Sequence, residues 1–419
     1  MIPFFCFPLR RIVFFPLGIM AIFLSCNPSG ESAAENQKAV PGTYAYDAEF
    51  LKKYQDVVEL SDGNTFVLIS TDFQGRVMTS SATGREGFSF GWINYDLIAS
   101  PEKETHMNAF GGEDRFWLGP EGGQFSIYFS PGKTFEFENW YVPKSIDLEP
   151  FLRVSNTSSE AVFEKDIHLV NYSDKTFDLK VLRKIKLIDE TDARERLDIE
   201  SLKGIDFVAF ESENQITNTG QNAWTRESGA LSIWILGMLK PSPATTIVIP
   251  YKRQDLDKIS QVVNDTYFGK VPPERLVIGD SVIFFRADGN YRSKIGLSPQ
   301  HHTPYAGSYD AKERVLTVVF YSAPKGVFDY VNSMWELQES PFSGDVINAY
   351  NDGPLEGGGQ LGPFYEIETS SPAAFLQPGQ TMIHTHATFH FTGEESVLSQ
   401  ISEKVLGVSI SEIKNALPN

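Results

Sequence analysis

Short stretches in which apolar and polar residues alternate, or in which β-branched and aromatic residues cluster, follow one another from residue 57 to residue 391. A period of two sends successive side chains to opposite faces of a pleated strand, so each stretch predicts a strand. The predicted strands are 57–60, 65–70, 76–80, 88–94, 124–129, 151–155, 161–171, 176–187, 206–214, 231–238, 246–250, 276–280, 281–286, 294–296 and 315–321, followed by 364–369 and 382–390. Asp-Gly, Gln-Gly, Thr-Gly and Pro-Gly pairs punctuate the series at the spacing of tight turns. No short internal repeat points to a propeller or solenoid. The pattern predicts an all-β fold, a large antiparallel β-sandwich with a few short helices. Helical spacing is confined to 47–54, 254–263, 327–336 and a C-terminal helix over 395–416. In that last stretch Val397, Leu398, Ile401, Val405 and Leu406 form an apolar stripe suited to covering a sandwich edge.

The stretch 345–391 concentrates candidate chemistry. In 364–369, Tyr365 and Ile367 share one face and Glu366 and Glu368 the other. In 382–390, His384, His386, Thr388 and His390 share a face by the same parity. Pro372, Pro378 and Gly379 mark a turn-rich connection, which predicts that the two strands are neighbours in one sheet, with carboxylates and imidazoles on one face. Two carboxylates about 6–7 Å apart along a strand repel, so one holds a proton while the other is ionised. His384 or His386 would then supply the complementary acid near neutral pH. The same imidazoles with carboxylates form a donor set for a divalent metal at His384 and His386, although successive strand ligands are spread too far for all three imidazoles to reach one ion. A solvated polar sheet face is the third reading of this pattern.

A second cluster, 106–123, combines His106, Asn108, Glu113, Asp114, Arg115, Trp117 and Glu121 with paired glycines. A tryptophan beside an arginine and carboxylates can cover the apolar face of a pyranose while the charged groups bond its hydroxyls. The alternative is a structural loop with Trp117 in the core. The glycines do not form a phosphate cradle, since neither GxGxxG nor a Gly-Lys-Ser/Thr pattern is present. In 288–302, adjacent His301 and His302 point to opposite faces if extended, and Asp288-Gly289 reads as a hairpin turn.

The formal charge of −18 over 419 residues argues against a nucleic-acid partner, which needs clustered Lys and Arg. At the N-terminus, Arg10 and Arg11 precede the apolar run 12–24, which ends in Leu24-Ser25-Cys26. Charge, apolar run and small-residue boundary have the form of a signal peptide, and the boundary resembles a lipoprotein lipobox. Cleavage there would make Cys26 the lipidated first residue and, by removing two positive charges, take −18 to −20. Cys6 lies in the removed segment, so no disulfide, catalytic thiol or cysteine metal site is expected. The expected segments are a signal peptide (1–25), a polar tether (26–45), the sandwich (46–394) and a helical tail (395–419).

Four blocks carry a resemblance: Gln74-Gly-Arg76-Val-Met78; Asn108, Gly111-Gly112, Trp117 and Pro120-Glu121; Glu213-Asn214, Asn218-Thr-Gly220 and Trp224; and Tyr365 through Pro378-Gly379 followed by His384. Together they resemble the galactose-mutarotase-like (aldose epimerase-like) β-sandwich proteins across residues 57–391. The resemblance implies a twisted sandwich with a sugar-binding cleft, a Glu acting as base on the anomeric hydroxyl and a His protonating the ring oxygen. It points to Glu366 or Glu368 as the base and to Arg76 as a substrate-holding residue. No His stands in the Asn-His motif of that type, and His168 is the nearest substitute. The expectation is a lipid-anchored carbohydrate-binding or carbohydrate-processing protein of the bacterial cell envelope, periplasmic or surface-exposed. Glu366, Glu368, His384 and His386 would be its catalytic groups, and Arg76, His106, Asn108, Glu113, Arg115 and Trp117 would bind substrate, with no resident metal. A non-catalytic glycan-binding lipoprotein and a structural envelope protein are the alternatives.

Overall fold

The computed structural model describes residues 39–253, 262–355 and 358–418. Nineteen strands run in chain order: β1 (Val57–Asp62), β2 (Thr65–Ser70), β3 (Arg76–Ser81), β4 (Gly112–Gly119), β5 (Leu152–Asn156), β6 (Glu160–Val170), β7 (Thr176–Leu187), β8 (Ile205–Asn218), β9 (Ser232–Leu239), β10 (Thr245–Pro250), β11 (Val263–Asn264), β12 (Leu276–Ile278), β13 (Val282–Arg286), β14 (Ser293–Leu297), β15 (Tyr305–Asp310), β16 (Val315–Tyr321), β17 (Ile347–Asn351), β18 (Tyr365–Ser370) and β19 (Thr381–Gly393). The helices are short: α1 (Tyr44–Tyr54), α2 (Tyr95–Ala99), α3 (Lys144–Asp147), α4 (Glu190–Leu197), α5 (Glu395–Leu406) and α6 (Ile410–Asn415).

The strands form two antiparallel sheets, one of nine strands in the order β1-β2-β3-β4-β9-β18-β17-β14-β11 and one of ten in the order β12-β13-β10-β15-β16-β19-β8-β7-β6-β5. The all-β sandwich expected from the alternating pattern is therefore the observed architecture. Residues such as Val77, Phe116, Phe163, Val181, Ile216 and Ile235 are fully buried in the main apolar cluster, while a second cluster joins β10, β13, β14 and β17. On the outer face of the ten-stranded sheet, Leu398, Ile401, Val405 and Leu406 of α5 pack with Val248, Tyr309 and Phe389. Excluding this apolar stripe from water is what holds a 12-residue helix that would be marginal alone.

Several local expectations are corrected. The tail is two helices, because Gly407 adopts φ +76 after α5 and Ser409 opens α6 with a capping box to Glu412. Residues 327–336 are not helical: Tyr330 and Asn332 donate backbone hydrogen bonds to Phe342 and Pro341, so tertiary pairing overrides a weak local preference. The expected helix 254–263 falls largely outside the described residues, and its end, Val263, belongs to β11. Residues 88–94 and 124–129 run as irregular chain with isolated bridges at Phe88, Gly91, Ile93 and Phe129.

The most consequential correction concerns 106–123. Instead of a loop, residues Gly112–Gly119 form β4, an inner strand of the nine-stranded sheet buried along its whole length. Gly111 and Gly112 have φ +98 and +107, and a side chain at either would strike Trp92 or Arg76. The glycine pair serves close packing at a strand entrance.

Candidate functional site

Alternation along β18 decides which groups meet. Its odd residues face the ten-stranded sheet: the Tyr365 hydroxyl lies 2.8 Å from Ser308 Oγ, and Thr369 Oγ1 lies 3.0 Å from His384 Nε2 and 2.8 Å from His386 Nδ1. Its even residues, Glu366 and Glu368, point out of the sandwich on the opposite face. The expected neighbouring of the two strands is thus overturned: β18 lies in the nine-stranded sheet and β19 in the ten-stranded one, because the turn-rich connection crosses between layers. Parity was read correctly within each strand, but the carboxylates and imidazoles lie on opposite sides of β18.

On the outer face, cross-strand register assembles a charged cluster. Glu368 stands opposite Leu236 of β9, which stands opposite Arg115 of β4, and Glu366 stands opposite Tyr350 of β17, which pairs with Lys294 of β14. Arg115 Nη2 donates to Glu366 Oε1 at 2.8 Å, and the guanidinium lies 4.2 Å over the Trp117 ring. Lys294 Nζ and Trp234 Nε1 donate to Glu368 Oε2 at 2.8 and 3.0 Å, while Glu368 Oε1 makes no hydrogen bond among the described residues. The Lys294 ammonium also sits 4.7 Å over the Trp234 ring, and the Tyr267 hydroxyl donates to Asp345 Oδ2 at 2.6 Å.

A cavity of about 10 Å³, room for roughly one water, is bounded by Trp234, Tyr267, Lys294, Ser333, Asp345 and Asn348. Val331 and Ser333 roof it. The Ser333 hydroxyl accepts from the Glu121 backbone N–H at 3.2 Å, Gln338 and Gln124 exchange hydrogen bonds of 3.0 and 2.9 Å, and Trp335 packs on Phe129 and Trp140.

Burial sets the protonation of the cluster. It pushes Glu366 up to about 8 despite Arg115, with the neighbouring charge of Glu368 adding to the rise. Burial also lifts Asp345 to about 6 and raises Glu121. For Lys294 burial acts downward, but Glu368 and Glu121 outweigh it and hold the ammonium above its ordinary range. A proton-loaded carboxyl therefore lies beside a second carboxyl gripped by an ammonium, an arrangement able to give and take protons.

The other expected site residues are dispersed. His384 and His386 are buried between the sheets and held neutral, lowered to about 3 and about 4, chiefly by burial. They cannot serve as acids for the outer face. Their ring nitrogens meet Thr369 and Ser322, and among the described residues no three metal-ligating side chains gather. Glu113 is likewise internal, accepting from Ser80 Oγ at 2.9 Å and meeting His390 Nε2 at 2.9 Å. A bulge between Gly112 and Arg115 turns both Glu113 and Asp114 inward, where Asp114 pairs with Arg183. His168 is exposed on β6 and bonds Asp178.

Arg76 is fully buried near the cluster, but its guanidinium is occupied by Gly111 O and Gln74 Oε1, each at 3.0 Å. Burial, then the charge of Arg115, lowers it to about 9. Asn108 Nδ2 donates to Asp147 at 2.8 Å and so positions that carboxyl. His106 stacks on Tyr141, its Nδ1 2.6 Å from Trp140 O. Only Glu366, Glu368, Arg115 and Trp117 come together as expected. Glu121, part of the 106–123 cluster, lies close by, whereas Lys294, Trp234, Tyr267 and Asp345 carried no expected role; a lone lysine in the apolar strand Ser293–Leu297 was the available signal.

Titration of carboxyl-¹³C-glutamate protein should show one carboxyl with a midpoint near 8 that disappears in Glu366→Gln. Because the folded value is raised, the proton on Glu366 stabilises the fold fully below about 4.5, and that contribution is lost as pH rises towards 8. A Glu366 carboxyl fully ionised by pH 6 would contradict this assignment.

Among solved structures, the fold is similar to a putative aldose 1-epimerase from Escherichia coli K12 (12% identity, TM-score 0.49, 81% of this chain and 100% of that one). It is also similar to a galactose mutarotase-like protein from Lactobacillus casei ATCC 334 (8% identity, TM-score 0.45, 80% and 100%). A search of curated proteins gives no match. The sequence profile described as "Family of unknown function (DUF6786)" matches residues 42–417, and the chain belongs to that family.

Proposed function

We propose that the protein binds an aldose on the outer face of the nine-stranded sheet and interconverts its anomers by acid–base catalysis. The observation that carries this reading is the buried pair of glutamates, one with a raised carboxyl beside Arg115 and one held by Lys294 and Trp234. Glu368 accepts the proton of the anomeric hydroxyl as the C1–ring-oxygen bond breaks, while Glu366 delivers its proton to the ring oxygen. The open-chain aldehyde rotates about C1–C2 and recloses by the reverse transfers. Each carboxyl ends the cycle in its starting state. Lys294 and Arg115 keep the two in register, each cation lying over a buried indole, Trp234 and Trp117 respectively. The motif resemblance to aldose epimerase-like proteins supports the same chemistry, with the acid moved from a histidine to a glutamate.

The 10 Å³ cavity admits no pyranose until residues 331–338 move aside, and this closure favours a second reading: a non-catalytic glycan-binding protein. Polarimetry and NMR across a panel of aldoses separate the two. Glu368→Gln should cut anomer interconversion by about 100-fold or more, while His384→Gln should leave it within about threefold. Saturable binding with no interconversion by the unaltered protein selects the second reading. Interconversion unchanged in Glu368→Gln would discard the mechanism.

We further propose that the chain is a lipoprotein of the bacterial cell envelope, anchored through Cys26 after removal of residues 1–25, a segment outside the described residues. Labelled palmitate should enter the full-length protein, and Cys26→Ala should abolish labelling and release the protein from membranes. A Cys26→Ala protein that keeps its label and stays with the membrane would refute the anchor.

A further inference from the structure

Beside the charged cluster lies a second, open space of about 450 Å³, against about 10 Å³ under the roof. That volume is within the roughly 300–1,000 Å³ of small-molecule sites. Its lining alternates flat apolar surfaces, from Tyr128, Phe129, Pro131 and Tyr141, with the charged ends of Lys144 and Asp147. Tyr141 is 45% exposed although large aromatic rings are usually covered. It is not free to swing away: its backbone donates to Tyr128 O at 2.9 Å, and His106 stacks on its ring with centroids 4.6 Å apart. The protein thus holds an aromatic face open at the edge of a cleft.

Buried aromatic rings in contact link the wall of the cleft to the charged cluster. The Tyr128 ring is 5.7 Å from Trp117, which is 5.7 Å from Trp234, a wall of the small cavity. Asp147, at the cleft floor, is only 3% exposed and is pinned by both the backbone and side-chain nitrogens of Asn108. Its carboxyl is within electrostatic reach of Arg76 and Arg115.

We propose that this cleft, with Tyr141 as its platform and Lys144 and Asp147 as its hydrogen-bonding groups, binds a further sugar unit, so that the ligand is an oligosaccharide and not a free monosaccharide. The inference rests on the carbohydrate reading of the charged cluster and names its substrate class. A pyranose has one face of C–H groups and a rim of hydroxyls, which matches a fixed aromatic face beside a cation and a carboxyl. A long apolar ligand would leave the Lys144 ammonium without a partner, at a cost in affinity.

Calorimetry on the full chain tests this with glucose, galactose and their β-linked oligomers of two to six units. The unaltered protein should bind its preferred oligomer about tenfold or more tighter than the matching monosaccharide. Tyr141→Ala should bring that ratio near one without changing the monosaccharide affinity, and Tyr141→Phe, which keeps the ring, should retain most of it. Equal affinity for monomer and oligomer, or a ratio that survives Tyr141→Ala, overturns this extension and leaves the monosaccharide site standing. Failure of every sugar, short or long, overturns the carbohydrate reading itself.

Discussion

Arg115 and Glu366 meet at 2.8 Å with side chains only 3% and 7% exposed, and the outer face of the nine-stranded sheet is organised by the need to keep such buried polar groups bonded to one another. Removing either partner leaves a buried donor or acceptor unsatisfied, at a cost of about 1–3 kcal/mol, and more for a charged group. Lys294 and Glu368 repeat the arrangement two strands away, with 10% and 1% exposure. Burial, with Glu368 nearby, is what raises the Glu366 carboxyl, so the acidity of that carboxyl depends on keeping water away from it. Hydration removes the burial that keeps the proton in place.

The inward face carries a different polar layer with different consequences. Asp114, Arg183, Asn214 and Ser212 bond one another between the sheets, and Glu113 bridges Ser80 and His390. These groups are satisfied within the protein, and the nearby His384 and His386 are held neutral by burial. They specify how the sheets stack. One strand, β4, serves both layers because its bulge sends Glu113 and Asp114 inward and leaves Arg115 and Trp117 outward. The same residue types thus have unlike roles according to the side of the sheet they occupy.

Much of the architecture was legible from period alone. Thr65–Ser70, Thr176–Leu187 and Val315–Tyr321 are strands with the expected bounds, since β-branched and aromatic alternation is a local property. The pairing of Glu366 with Glu368 on one face was also local and was read correctly. Which sheet each strand joins is not local. The Pro372–Gly379 connection looks like a hairpin turn in sequence and is an inter-sheet crossing in space, so His384 and His386 were assigned to the wrong face. The strand Gly112–Gly119 was hidden by glycines that signal turns but here permit close approach to Trp92 and Arg76. Lys294 belongs to the cluster through register with distant strands, and Asp345 through its place in the cavity wall, information that no single stretch contains.

The central claim is that a sugar engages the outer face of the nine-stranded sheet and not the layer between the sheets. Nitrogen-15 NMR of the tryptophan indoles and histidine rings, recorded while a bound aldose or its oligomer is titrated in, reads both faces at once. The Trp234 and Trp117 indole signals should shift saturably while the His384 and His386 ring signals stay in place. Imidazole shifts with unmoved indole signals would contradict it.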